Sequence, residues 1–197
     1  VRRLLAAVAT VLALTALTAC DGGVPTPGQS KVDVDTPALR EQKAAAGIET
    51  CVPGSGKNQL PDLTLPCLGG GPDVDLSTLQ GPMLINLWYS GCGPCRDEMP
   101  VLQQFHDKYA DQVPLVGIDV ETYPDYAIGF ADEVGATYPQ LADPGGTVFD
   151  DADLGLRQAF PQTIYVAADG RIVKEAKEIT SLDQLLASVE TNLGVAL

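Results

Sequence analysis

The 197-residue sequence has one histidine, one tryptophan and two methionines, and little basic charge: 12 lysines and arginines face 26 acidic residues, a formal charge of -14. One histidine cannot build a His-rich metal site, and it leaves few ways to complete a hydrolase triad. The acidic balance repels phosphate backbones, so nucleic acid is excluded as a natural partner. Aromatic residues make up 6%, charged residues 19% and hydrophobic residues 45% of the chain. That composition is globular; collagen-like, wholly disordered and multi-span membrane classes are out. The length suits one domain with appendages or two small domains, and no internal repeat is visible.

The only long apolar run is at the start. Arg2 and Arg3 precede an uncharged stretch from Leu4 to Ala19, the pattern of a secretion signal. A helix over it rises about 24 Å, short of the ~30 Å hydrocarbon core. The run ends in Leu17-Thr18-Ala19-Cys20, which resembles the lipobox of bacterial lipoproteins. The resemblance implies cleavage after residue 19 and lipidation of Cys20, giving a chain anchored at the extracytoplasmic face of a bacterial cell membrane. The expected organisation is a signal peptide at 1–19, a lipidated flexible tether with a possible short helix at 20–47, and one domain at 48–197. Within the tether, Thr36 is placed to cap a helix with Pro37 in its first turn and Gly47 at its end.

Setting Cys20 aside leaves Cys51, Cys67, Cys92 and Cys95, an even number for an oxidising compartment. Alternation at Leu63 and Leu65 and again at Val74 and Leu76, around Gly69–Gly71, predicts a small hairpin. Met83–Tyr89 and Leu115–Val120 read as buried strands, with a helix over Cys95–Tyr109 between them and another over Tyr126–Val134. Thr163–Ala168 and Arg171–Ala176 are strands around an Asp169-Gly170 turn, and Ser181 caps a last amphipathic helix. A mixed sheet with helices on both faces follows. His106 reads as an ordinary helix-surface residue, and Asp150, Asp151 and Asp153 as a solvated loop lacking a full calcium ligand set.

The chemistry is concentrated at Cys92-Gly93-Pro94-Cys95, directly after a strand and opening a helix. Helix N-terminal N–H groups stabilise a thiolate there, so Cys92 is the nucleophile and Cys95, one turn deeper, the resolving thiol. Half of a zinc site is the alternative, but two further ligands at workable spacing are wanting. Glu98, three residues beyond Cys95, lies on the same helix face, where a partly buried carboxylate with a raised pKa can exchange protons with the resolving sulfur. Cys51 and Cys67 are expected to form a separate structural disulfide. A second redox pair relaying electrons is the other reading, and it lacks the activation of a helix start.

The stretch Asn86-Leu87-Trp88-Tyr89-Ser90-Gly91-Cys92-Gly93-Pro94-Cys95-Arg96-Asp97-Glu98-Met99-Pro100 resembles the TlpA/ResA/CcmG branch of thioredoxin-like proteins, whose pattern is N-F-W-A-x-W-C-x-P-C-R-x-E-x-P. The likeness continues through Tyr138-Pro139-Gln140-Leu141, Phe160-Pro161-Gln162-Thr163 and Asp169-Gly170-Arg171. It implies an α/β thioredoxin-like fold with a mixed central sheet, helices on both faces and an N-terminal β-hairpin extension. It implies a cis Pro161 facing the cysteine pair, and a substrate surface made by Trp88, Pro94, Phe160 and Pro161. It implies client proteins bearing disulfides or thiols, electrons from a membrane thiol–disulfide reductase, no cofactor and no metal. Two positions depart from the thioredoxin-like patterns: Gly91 stands where the branch has tryptophan, and Asn86 where thioredoxin itself has a buried aspartate. The activity expected is thiol–disulfide exchange, acting as a reductant in cytochrome maturation or general disulfide reduction. The alternatives are a peroxiredoxin-like enzyme and a non-catalytic copper-binding lipoprotein on the same fold. The first lacks the usual approach to a peroxidatic cysteine, with Ile85 and Tyr89 in the relevant places. The second lacks a histidine after His106.

Overall fold

The computed structural model describes residues 32–152 and 154–197. The expected signal peptide, Cys20 and the expected tether up to residue 31, together with Asp153, lie outside the described residues. The elements run α1 (Pro37–Ala46), β1 (Thr64–Leu65), β2 (Val74–Asp75), β3 (Met83–Trp88), α2 (Gly93–Tyr109), β4 (Leu115–Asp119), α3 (Pro124–Glu133), β5 (Gln140–Ala142), β6 (Gln162–Val166), β7 (Ile172–Glu175) and α4 (Leu182–Leu193). Strands β1 and β2 form the expected antiparallel hairpin as a small separate sheet. The main sheet has the order β5-β4-β3-β6-β7. Strands β3, β4 and β5 are parallel, while β6 and β7 are antiparallel to their neighbours. Strand β5 was not expected. It has only three residues and follows Pro139, too short for a period to show.

Both faces of the sheet are apolar because β3 alternates between two clusters. Leu84 and Trp88 pack with Leu115, Tyr165 and the buried sides of all four α-helices. Met83, Ile85 and Leu87 pack with Val116, Ile118, Ile164 and the hairpin residues Leu65 and Val74. The crossovers β3-α2-β4 and β4-α3-β5 step across the sheet in one direction, so right-handed connections place both helices on the same side. The helical cover is thus unequal. Among the described residues, four α-helices lie on one face, and the other carries the hairpin and two short 3-10 turns, Leu76–Thr78 and Thr147–Phe149.

Helix α1 starts and stops as its caps predict. The Thr36 hydroxyl accepts from Leu39 N–H, Pro37 sits in the first turn, and Gly47 ends the helix at φ 69°, where glycine has no Cβ to clash. It is no part of a tether. Leu39 and Lys43, one turn apart, are buried, Leu39 in the cluster that holds the α3 side chains, and Gly69 N–H donates to Val34 O. The boundary expected at residue 48 therefore falls too late; the folded body includes the chain from Val34 onward. The segment after α1 also covers the side of α2, so His106 is not a surface residue. Its side chain is 11% exposed, 2.9 Å from Glu49 Oε1 and beside the Tyr138 ring.

Candidate active site

Strand β3 ends at Trp88, and a turn closed by Cys92 N–H to Tyr89 O delivers the chain to α2. Cys92 is the N-cap of that helix, in extended conformation, with Gly93 and Pro94 as the first helical residues. Pro94 suits this place because its fixed φ is helical and the N–H it lacks would have had no partner. Cys92 and Cys95 are joined by a disulfide. Cys95 N–H points at Cys92 Sγ from 3.1 Å. Cys92 is 4% exposed and Cys95 fully buried, while Gly91, Gly93 and Pro94 around them are exposed. No acidic residue lies in the first turn of α2, so nothing there opposes the helix dipole in holding a thiolate at Cys92.

Glu98 lies one turn beyond Cys95 and is completely buried, more deeply than the expected partial burial. Asn86 Nδ2 donates to its Oε1 at 2.7 Å and Ile179 N–H to its Oε2 at 2.8 Å. Burial outweighs these two donors and pushes the carboxyl up from 4.5 to about 7. A carboxyl so poised can take or give a proton near neutral pH. Asn86, where thioredoxin has an acid, thus serves as a donor that orients Glu98. A second buried carboxyl, Asp119, ends β4 beside Trp88. Burial holds it well above the usual carboxylate range, and its Oδ2 has no hydrogen-bond partner. Its only mark along the chain is an acid at a strand end.

The register of β3 with β6 pairs Leu87 with Gln162. One step on, Trp88 faces Pro161, and the next pair is Tyr89 and Phe160, whose rings pack edge-on at 5.1 Å. The Phe160–Pro161 bond is cis. Phe160 thus packs on Tyr89, the residue at which the turn carrying Cys92 begins. Trp88 does not belong with them. It is fully buried, stacked on Phe130 at 5.5 Å, with Nε1 donating to Gln140 Oε1, so no client can touch it. Its side chain points to the helical face because β3 alternates, and the residue that reaches the site is the next one, Tyr89. Tyr89, Phe149 and Phe160 line a cavity of about 300 Å³ with Glu121, Gly145 and Gly146. Phe149, about eleven residues before Phe160 in the chain, had no sequence pattern to bring it here. Cys51 and Cys67 are joined by a disulfide at the β5 edge, where Cys67 pairs with Leu141. Among the described residues, no group of three or more His, Cys, Asp or Glu side chains is placed to hold a metal ion.

Comparison with known proteins agrees with this geometry. The thiol-disulfide oxidoreductase ResA of Oceanobacillus iheyensis is 30% identical over 114 residues, covering 57% of this chain and 58% of its own length. The thiol:disulfide interchange protein HelX of Rhodobacter capsulatus is 35% identical over 118 residues, 58% of this chain and 64% of its own. The chain therefore spans about three-fifths of the length of these curated relatives. Among solved structures, MTB dsbF superposes with a TM-score of 0.59 at 25% identity, covering 68% of this chain and 98% of that one. A secreted thiol-disulfide isomerase from Corynebacterium glutamicum gives 0.58 at 27%, covering 69% and 84%. The AhpC/TSA family model matches residues 57–175, which run from before the hairpin to the end of β7 and include Cys92, Cys95, Glu98 and Phe160; the backbone amide of Ile179 that donates to Glu98 lies beyond them. With its cysteine pair, its thioredoxin-like sheet and relatives named as thiol–disulfide oxidoreductases, the chain belongs to the AhpC/TSA family.

Proposed function

We propose that this protein is an extracytoplasmic thiol–disulfide oxidoreductase that reduces disulfides of client proteins through Cys92 and Cys95. The observation that carries the reading is the Cys92–Cys95 disulfide at the N-terminus of α2, one turn from a buried carboxyl titrating near neutrality. In the reduced protein, Cys92 thiolate attacks one sulfur of a client disulfide. A mixed disulfide forms and the client's other sulfur leaves with the electron pair. Cys95 then gives its proton to the Glu98 carboxylate and attacks Cys92 Sγ. The client's second sulfur leaves, and the protein is left with the Cys92–Cys95 disulfide. Phe160, Pro161, Pro94 and the Tyr89 ring form the surface that receives the client, whose extended segment can pair with backbone at Phe160.

A dithiol must reset the pair. The resemblance to TlpA-like proteins makes a membrane thiol–disulfide reductase the donor, and the Leu17–Cys20 motif supplies a lipid anchor that keeps the two on one membrane surface. Cytochrome maturation or general disulfide reduction is the cellular role that fits. The deciding experiment measures the reduction potential of Cys92–Cys95 together with reduction of insulin by the protein charged with dithiothreitol. A strongly oxidising potential, with no insulin reduction, would reverse the direction proposed here. The family's description raises peroxide reduction as a second reading. Hydrogen peroxide consumption measured beside insulin reduction separates the two, because a Cys92 bonded to Cys95 serves disulfide exchange, whereas a peroxidase consumes peroxide at Cys92 alone.

A further inference from the structure

The second disulfide is built asymmetrically. Cys67 Sγ faces two donors, Lys43 Nζ at 3.1 Å and Cys51 N–H at 3.2 Å. Cys51 Sγ faces an acceptor, Gln140 O, at 3.2 Å. A disulfide sulfur accepts weakly and cannot donate, so the bonded pair makes little use of these neighbours. The reduced pair uses all of them. Cys67 as a thiolate accepts from an ammonium and an amide, and Cys51 as a thiol donates its proton to Gln140 O. Lys43 is itself only 6% exposed, and its other contact is Gly70 O at 2.8 Å. A bridge that served only to close a loop would not need an amine buried against one sulfur.

We propose that Cys51–Cys67 is a second thiol–disulfide exchange site, with Cys51 the sulfur attacked, Cys67 the leaving sulfur, and Lys43 the positioning residue that holds the Cys67 thiolate. Cys51 opens on a cavity of about 220 Å³ lined by Val52, Val74, Leu79, Met83 and Pro139. The co-substrate is therefore a dithiol whose attacking sulfur has apolar neighbours. Its thiolate attacks Cys51 Sγ; a new S–S bond forms, the Cys51–Cys67 bond breaks, and the electron pair leaves on Cys67. The dithiol's second sulfur passes its proton to Cys51 and displaces it. The dithiol ends as a disulfide, Cys51 as a thiol and Cys67 as a thiolate, so one proton and one negative charge are conserved. The site works apart from Cys92–Cys95. Cys67 pairs with β5, two strands from β3 in the sheet, or about 10 Å across it. The inference stands whether or not the first pair acts as proposed above.

The charged groups around the pair are Lys43 and Asp35, Arg40 bonded to Asp35, and Glu49; the His106 ring also lies beside the cavity. The test has two arms on the full chain. Oxidised protein is treated briefly with β-mercaptoethanol, quenched with acid and mapped by peptide mass spectrometry. The adduct is expected on Cys51 over Cys67 by at least about tenfold. Equal adducts, or an excess on Cys67, overturn the proposal. In fully reduced protein, the NMR shift of each cysteine Cβ is followed against pH. The Cys67 midpoint is expected at least about one unit below the ordinary thiol value of ~8.5, and Cys51 above it. Lys43→Met should raise the Cys67 midpoint by about one unit or more, and Lys43→Arg should restore it. A wild-type Cys67 midpoint at or above the ordinary value also overturns the proposal, as does a midpoint that Lys43→Met leaves unmoved. If Lys43→Met fails to fold, the wild-type mapping and titration decide alone.

Discussion

Tyr89 fills the space that a side chain at position 91 would need: a Cβ built on Gly91 would lie 2.9 Å from Tyr89 Cε2. The ring is fixed there by its edge-on packing against Phe160. TlpA-like chains carry a tryptophan immediately before the first cysteine. Here the aromatic surface next to Cys92 comes from two residues earlier and is continuous with Phe160 and Phe149. The glycine and the tyrosine are one arrangement rather than a loss.

Gly91→Ala should therefore displace the Tyr89 ring and weaken client binding. We predict a several-fold rise in KM for a protein disulfide, with kcat for a small disulfide unchanged. Steady-state kinetics on insulin and on a small aromatic disulfide make the comparison. An equal loss on both substrates would mean that the substitution disturbs Cys92 itself.

Cys92→Ser should abolish disulfide reduction, and Cys95→Ser should accumulate mixed disulfides with clients, because Cys92 caps the helix and keeps a little exposure (4%) while Cys95 has none. Non-reducing electrophoresis after exposure to a disulfide-bonded client reads both. Retention of full activity in Cys92→Ser would remove the assignment of the nucleophile.

Glu98→Gln should change both rate and stability with pH. With its carboxyl raised from 4.5 to about 7, the folded protein keeps the proton over a range where the unfolded chain has already lost it. Folding stability contributed at this site is therefore lost as pH rises through that window, on the order of 3 kcal/mol in all, and no further above it. The glutamine variant cannot titrate, so its stability should be flatter between about pH 4.5 and about pH 7, and its rate profile should lose the inflection near neutrality. Denaturant midpoints and pH–rate curves, wild type against variant, are the measurements. Parallel curves in both would leave Glu98 outside the reaction.

Replacing Cys51 and Cys67 together by alanine should cost about 3 kcal/mol of stability through loop closure in the unfolded chain. Urea titration of the oxidised proteins gives the difference, and a change below about 1 kcal/mol would show that packing around the hairpin holds the loop without the bond.

Cys20→Ser should release the protein from membranes without altering the activity of the folded body. Fractionation together with mass spectrometry of the mature N-terminus tests it. A native chain without an acyl adduct on Cys20 would rule out the anchor.

What the sequence disclosed followed from how local each signal was. The Cys92–Cys95 pair, the caps of α1 and α4 and the Asp169-Gly170 turn depend on neighbours in the chain, and each was legible. The packing of α1 was not legible: its caps mark a helix, but nothing local says whether the buried Leu39 and Lys43 meet the body or the stalk continues past them. Trp88 was misassigned because motif likeness does not say which way a strand side chain points, whereas the alternation of β3 does. The cavity of Tyr89, Phe149 and Phe160 joins three segments that meet only when β6 returns beside β3, so no pattern along the chain could assemble it.

The hydrogen bond from Ile179 N–H to Glu98 has a temporal side. Its partners are 81 residues apart in the chain. As the chain emerges N-terminus first, Cys92, Cys95 and Glu98 appear well before the backbone amide that orients the carboxyl, and before α4 packs against α2. An emerging chain thus displays two reactive sulfurs without the buried acid that makes their exchange efficient. The proton carrier is completed by a segment 81 residues downstream, so full reactivity arrives only once that segment has folded into place.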